Sequence, residues 1–225
     1  RLYFYQWLIK NNKLDAPRLR QKKTGGSVGD GQALNTLLDR DIQIVLPTFE
    51  SIMLLPPPPF SIQSSDGTSE LQFAHWLCFI GAHLHKLAFD FRFLASTGEL
   101  RIKRSKEYRG SSSMPHKNNP FEFERICSLM RMLPGHYNSI WSAVALNGME
   151  RNMDTSAIMK ESLPTMSNYV AYSLQLMTNL VQNMEFDITR ICSIVQQNRD
   201  ILNEEVNVIR KIKRGQTRLE AQKYV

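Results

Sequence analysis

Cysteine is scarce in this chain: Cys78, Cys127 and Cys192 are the only three in 225 residues, they lie far apart, and no two form a CxxC pair. An odd number at such spacing excludes a disulfide framework and offers no zinc site, so a reducing, cytoplasmic compartment and no metal are expected. Long apolar runs are missing too. The longest are interrupted by His, Lys or Asp well before the roughly 18 to 20 residues that a bilayer span requires, so no membrane partner is expected. No stretch keeps the alternation of a strand, no internal repeat is visible, and the low-complexity content is limited to four prolines at 56 to 59. The net charge of +7 comes from Lys and Arg spread along the chain, apart from the short clusters "RLRQKK" and "RKIKR". No nucleic-acid recognition module accompanies them, so nucleic acid is not expected as a partner. A phosphorylated small molecule would use the same charge.

What the chain does have is helical periodicity, with 42% apolar residues to bury. In "LQFAHWLCFIGAHLHKLAFDFRFLAS", Leu77, Ile80, Leu84, Leu87, Phe91 and Leu94 recur at spacings of three and four, the apolar stripe of a long bundle helix. Val170, Leu174, Met177, Val181 and Met184 repeat the pattern in "NYVAYSLQLMTNLVQNM". Further helices are expected at roughly 2 to 11, 31 to 54, 121 to 146 and 188 to 211. Asp187 is the expected N-cap of the last, and Pro120 falls in the first turn of the helix that carries Glu124. The fold class that follows is all-α, a long-helix bundle. Three connectors rich in helix breakers separate these segments: "KKTGGSVGDG", "LPPPPFSIQSSDGTSE" and "YRGSSSMPHKNNPFEFER". The first lacks both the GxxxxGK(S/T) pattern and the preceding strand of a phosphate loop, and reads as a tight helix-entry turn.

The third connector, residues 108 to 125, sets hydroxyls, a lysine, a carboxamide and a helix-borne carboxylate within a few positions. These groups suit a carboxylate substrate whose charge changes during reaction. "GSSSMPHKNNPFEFE" resembles the GSSxMPxKxNxxxxE signature of the fumarase/aspartase superfamily, which includes argininosuccinate lyase and adenylosuccinate lyase. "KKTGGSVGDGQAL" looks like that superfamily's glycine-rich turn ahead of a bundle helix. "ELQFAHWLCFIGAHLHKLAFDFRFL" looks like the helix before the signature, and "MERNMDTSAIMKESLPTM" is similar to the segment after it in adenylosuccinate lyases.

The resemblance implies a central helical-bundle domain over residues 1 to 212 and the start of a C-terminal helical domain at 213 to 225. It implies anti β-elimination of fumarate from a phosphorylated succinyl-purine nucleotide in purine biosynthesis, without metal or organic cofactor. It also implies a homotetramer with composite active sites. Carried over by position, Ser111 is the catalytic base, Lys117 stabilises its alkoxide and the dianionic intermediate, and Glu124 orients a histidine acid. Ser112, Met114 and Asn119 fall at substrate-binding positions, with Asn119 donating to a substrate carboxylate. Arg151, Ser156 and Lys160 fall where adenylosuccinate lyases hold the phosphate. Two departures bear on substrate. Lys160 replaces an arginine, keeping the charge but losing the bidentate fork, and Ser65 stands where an arginine commonly precedes the aspartate, here Asp66. The alternatives are an argininosuccinate lyase-like or carboxymuconate cycloisomerase-like sister enzyme, or a noncatalytic lyase-fold protein.

The histidines are His75, His83, His85, His116 and His136. The superfamily's acid histidines lie upstream of the region resembled here, and no threonine-histidine motif of that kind occurs. His75, His83 and His85 read as surface or core-edge residues, and His116 as a loop contact. Arg1 opens directly into a helical pattern, so the chain is expected to be an interior piece. It would cover most of the central domain, lack the N-terminal domain, the first bundle helix and most of the C-terminal domain, and be inactive alone.

Overall fold

The computed structural model describes residues 10, 15–17, 19, 25–44, 48, 52, 64–104, 119–149 and 152–222. Among them the α-helices are α1 (Gln32–Leu38), α2 (Thr68–Ser96), α3 (Phe121–Ala145), α4 (Thr155–Gln182), α5 (Ile188–Gln197), α6 (Arg199–Leu202), α7 (Glu204–Lys213) and α8 (Arg218–Gln222). Two three-residue strands, β1 (Leu100–Ile102) and β2 (Met184–Phe186), complete the regular structure with a 3-10 turn at Ile42–Ile44. The all-α reading therefore holds, with three helices of 25 to 29 residues as its main elements. The helix expected at 2 to 11 lies outside the described residues except for Lys10.

The chain divides into two units, Arg1–Phe89 with Phe121–Thr178, and Asp90–Pro120 with Asn179–Val225. In the first, the glycine-rich turn closes on itself: the Gly31 N–H donates to the Gly25 carbonyl at 2.8 Å, and α1 starts at the next residue. Gly31 adopts φ 80°, and a Cβ there would lie 2.7 Å from the Ile42 side chain, so only glycine fits this helix entry. The helix expected over 31 to 54 is interrupted after Leu38, and Thr48 and Ile52, the described residues between 45 and 54, are again helical. Asp39 turns left-handed at φ 50°, and the Asn35 side chain captures the Ile42 N–H at 2.7 Å, offering the backbone a turn in place of helix.

α2 and α3 run antiparallel. The Tyr137 ring lies 6.0 Å from His75, Leu133 and Met130 face Gly81, and the Cys127 thiol donates to the His85 carbonyl at 3.8 Å. The stripe that α2 buries is Ala74, Leu77, Gly81, Leu84 and Ala88, so of the six expected residues only Leu77 and Leu84 are in the core. Small side chains win the contact because they let α3 approach: a Cβ on Gly81 would sit 2.3 Å from a Leu133 methyl. α3 answers with Phe123, Ile126, Met130, Leu133 and Ile140, all buried at helical spacing. α4 follows antiparallel to α3, with His136 against Tyr169 and the Arg125 guanidinium donating to the Tyr172 hydroxyl at 3.1 Å. Its buried line is Ser162, Met166, Val170, Ser173, Met177 and Leu180, whereas Leu174 and Val181 of the expected stripe are 44% and 50% exposed.

The second unit contains a feature not foreseen, since strand alternation is not apparent along the chain. β1 pairs antiparallel with β2, Leu100 opposite Phe186, Arg101 opposite Glu185 and Ile102 opposite Met184. Asp187 caps α5 as expected, its carboxylate accepting from the Arg190 N–H at 2.9 Å. The single helix expected over 188 to 211 is instead three, α5 to α7, broken at Asn198 and Asn203. Each asparagine side chain donates to the carbonyl four residues back, Ile194 and Arg199 respectively, at 2.8 Å. Such competition with the backbone is why asparagine favours helix ends.

Candidate active site

Of the signature residues, Ser111, Ser112, Met114 and Lys117 lie outside the described residues, as do His116 and, further along, Arg151. The described part begins at Asn119, which is exposed, and Pro120, which immediately precedes α3. Proline there sacrifices no helical hydrogen bond, because the first N–H groups of a helix have no partner within it. Glu124 is exposed on the first turn of α3 beside Glu122, where carboxylates are favoured by the positive end of the helix dipole. Arg125 steadies this turn, lying 5.5 Å over the Phe121 ring while bonding to Tyr172.

Ser156 and Lys160 stand on the first turns of α4, Ser156 half-buried and Lys160 exposed. Four residues apart on a helix, they share a face. The turn that delivers them is fixed by a side-chain clamp: the Asn152 N–H donates to Asn147 Oδ1 at 2.7 Å, and the Thr155 hydroxyl donates to the Asn152 carbonyl at 2.9 Å. Met149, within the turn, adopts φ 46°. Sequence reasoning passed over Asn147 and Asn152; an Asn-Gly pair between two long helices was the available signal. A helix N-terminus presents unpaired N–H groups and a partial positive charge, which together with a lysine one turn in favours an anion.

Within one chain Glu124 stands far from the Ser156 and Lys160 pair. Tyr172, bonded to the neighbour of Glu124, stands 12 residues beyond Lys160 and 16 beyond Ser156 on α4. At about 1.5 Å of rise per residue this is roughly 18 to 24 Å. The four described histidines all pack on aromatic rings: His75 on Tyr137, His83 on Phe79, His85 on Phe89 and His136 on Tyr169. None of the described residues form a group of three His, Cys, Asp or Glu suited to a metal ion. No helix of the described residues is long and apolar enough to cross a membrane. A cleft of about 510 Å³ in the first unit is lined by Leu71, His75, Trp76, Phe79 and Tyr137 among others. Its described lining includes none of the expected site residues and no lysine or arginine.

A lyase family profile matches residues 6–135, more than half of the chain and all of the signature. The chain therefore belongs to the lyase family, within the fumarase/aspartase superfamily. Inside that class its resemblance is to adenylosuccinate lyase. It is 28% identical over 173 residues to the Thermotoga maritima adenylosuccinate lyase, covering 76% of this chain and 40% of that one. It is 35% identical over 115 residues to the Schistosoma mansoni enzyme, 51% of this chain and 24% of that one. With the Pyrococcus abyssi enzyme it shares 26% over 208 residues, 90% of this chain and 44% of that one. The chain thus spans less than half the length of these curated relatives. The crystal structure of 3-carboxy-cis,cis-muconate lactonizing enzyme from Pseudomonas putida superposes with a TM-score of 0.74 at 23% identity, over 94% of this chain and 46% of that one. This likeness is one of fold.

Proposed function

We propose that the protein carrying this chain is a C–N lyase that releases fumarate from a phosphorylated succinyl-purine nucleotide, as adenylosuccinate lyases do. The observation that carries the reading is the "GSSSMPHKNNPFEFE" signature inside a lyase-family match. In the proposed step a base, Ser111, takes the proton from the carbon β to the leaving nitrogen. The C–N bond breaks through an intermediate whose extra charge is spread onto the adjacent carboxylate, and an acid protonates the departing nitrogen. An isolated serine is a poor base, so Lys117 supplies the positive charge that stabilises its alkoxide and then the intermediate. Ser112, Met114 and Asn119 line the substrate, and Asn119 donates to a carboxylate.

Ser156 and Lys160, with Arg151, hold the phosphate at the start of α4, supported by their shared helix face and the helix N-terminus. Glu124 orients a histidine acid supplied from elsewhere. The 18 to 24 Å along α4 that separates the Glu124 end from Lys160 and Ser156 favours sites composed from neighbouring chains of a homotetramer. Exposed Trp141 and Leu174, 49% and 44% accessible, are the kind of apolar surface such assembly covers. The same reading places the protein in the cytoplasm and in purine biosynthesis, without metal, cofactor, nucleic acid or membrane partner. It also takes residues 1 to 212 as central domain and 213 to 225 as the start of a C-terminal one.

The experiment follows fumarate release by the native protein from a succinyl-purine nucleotide and from argininosuccinate, and the interconversion of a carboxymuconate with its lactone. Turnover of the first alone is expected. Ser111→Ala should lower kcat by about 10²- to 10⁴-fold, the range for a lost proton-transfer group. Lys160→Ala should raise KM for the phosphorylated substrate with little change in kcat. Turnover confined to either other substrate, or none at all, overturns the reading.

A further inference from the structure

α3 and α4 are held by different means where the chain passes from one to the other. The end of α3 is seated in the core. Ile140 and Ala143 are buried, and Val144 lies against the start of α2, where a Cβ on Gly67 would be 2.7 Å from a Val144 methyl. The start of α4 has no such seat. Thr155, Ser156, Ile158 and Met159 are half-buried, Ala157, Lys160 and Glu161 are exposed, and the first buried residue of α4 is Ser162. A helix end held by so little burial opens at low free energy. Ser156 and Lys160, the described members of the proposed phosphate site, both fall in this unseated part.

Asn147 ties the loose end to the seated one. It stands just beyond α3, and its Oδ1 accepts the Asn152 N–H at 2.7 Å in a partly buried bond. From Asn152 the order passes into α4. The Asn152 carbonyl accepts the Thr155 hydroxyl at 2.9 Å, and the next carbonyl, that of Met153, accepts the Ser156 N–H at 3.2 Å. The Asn152 side chain also lies against Gly148, where a Cβ would be 3.3 Å from Asn152 Oδ1. Met149 holds φ 46°, a left-handed conformation that is costly for a residue with a side chain and persists only where its surroundings over-determine it. Strain of this kind collects where placement matters.

We propose that Asn147 is a positioning residue for a phosphate ligand: by holding Asn152 it keeps the first turn of α4 in the arrangement that turns Ser156 and Lys160 to the same anion. The proposal rests on the reading of that pair as phosphate holders, though not on the elimination step. Its effect on affinity is indirect. A site that is formed only part of the time binds with an affinity reduced by the fraction of time it is formed. Losing one neutral hydrogen bond shifts the equilibrium of a marginal turn by about 2- to 10-fold. That factor is the penalty a phosphate ligand would meet, and a ligand without phosphate escapes it.

The test uses the native protein with adenosine monophosphate and adenosine as probes, their binding measured by calorimetry. Wild type is expected to bind the monophosphate more tightly. Asn147→Ala should raise the Kd of the monophosphate by about 2- to 10-fold and leave that of adenosine within about twofold. A merely structural role would weaken both alike; that outcome, or an unchanged Kd for the monophosphate, overturns the proposal. Amide exchange over residues 152–158, followed without ligand, should quicken in Asn147→Ala and stay near the wild-type rate in Asn147→Asp, which keeps an acceptor oxygen in that place. Equal exchange in wild type and Asn147→Ala would mean that the bond does not hold the turn, and overturns the proposal too. On a Lys160→Ala background, Asn147→Ala should weaken monophosphate binding by less than it does in wild type, because the pair it positions is already broken. Full additivity overturns action through Lys160. Fumarate release is assayed apart from binding. Selective binding of the monophosphate by a protein that releases no fumarate leaves the positioning role standing and removes the elimination reading, whereas fumarate release by a protein whose binding ignores the phosphate does the reverse.

Discussion

The three cysteines differ only in surroundings, and those surroundings set their chemistry. Cys192 is exposed on α5, Cys127 is buried on α3, and partial burial on α2 pushes the Cys78 thiol up to about 11 by penalising its thiolate. A raised pKa in an acid means the folded state favours the neutral thiol. That preference is complete below the unfolded value, near 8.5, and is lost as the pH rises through about 11. At pH 8 a maleimide should therefore label Cys192 first, with Cys78 and Cys127 following only on unfolding, as peptide mass mapping would reveal. Gly81 is set by its neighbours in the same way. With Leu133 and Met130 against its α-carbon, Gly81→Leu should cost about 1 to 3 kcal/mol by overpacking, seen as a lower urea midpoint.

At the scale of elements, local chemistry and tertiary packing each decided part of the outcome. The glycine turn at 25 to 31, the Asp187 cap and the long helices were legible because their signals are local: glycines where φ is positive, a side-chain acceptor ahead of a periodic run. Breaks at Asp39, Asn198 and Asn203 were not, since apolar periodicity continues through them and only the polar side chain's own hydrogen bond ends the helix. The ribbon was missed because the alternation in "ELRIK" lasts five residues and its partner is 82 positions away. Which face of α2 is buried also escaped the pattern, because Ala74, Gly81 and Ala88 carry too little hydrophobicity to announce a contact that depends on their small size. Asp187→Ala should cost about 1 kcal/mol and speed amide exchange in the first turn of α5, with the long helices unaffected.

For the molecule as a whole, the candidate site was readable as a set of residues but not as a place. The signature and the Ser156 and Lys160 pair stand out in the sequence, yet nothing local says that α3 and α4 carry Glu124 and Lys160 to separate ends. Up-and-down packing of long helices imposes that separation. A composite site makes a definite prediction. Glu124→Gln chains, low in kcat, and Lys160→Glu chains, whose reversed charge raises KM for the phosphorylated substrate, should regain fumarate release at low substrate after being unfolded and refolded together, because some sites then draw both intact residues from different chains. Mixed refolding that yields no such gain, with tetramers confirmed by light scattering, would place both residues in the same chain's site.

The Asn147 clamp on the turn before α4 also bears on how the protein ages. An asparagine followed by glycine is the sequence most open to attack by the next backbone nitrogen on the side-chain carboxamide, since Gly148 has no side chain to obstruct it. While Asn147 Oδ1 is held by the Asn152 N–H, the carboxamide is kept from rotating into that attack. Each opening of the turn removes the protection, so deamidation at 147 would accumulate in proportion to the time the turn spends open. The same bond that presents Ser156 and Lys160 thereby makes the turn a chemical clock, in which isoaspartate at 147 records past excursions of the segment that leads to the proposed phosphate site.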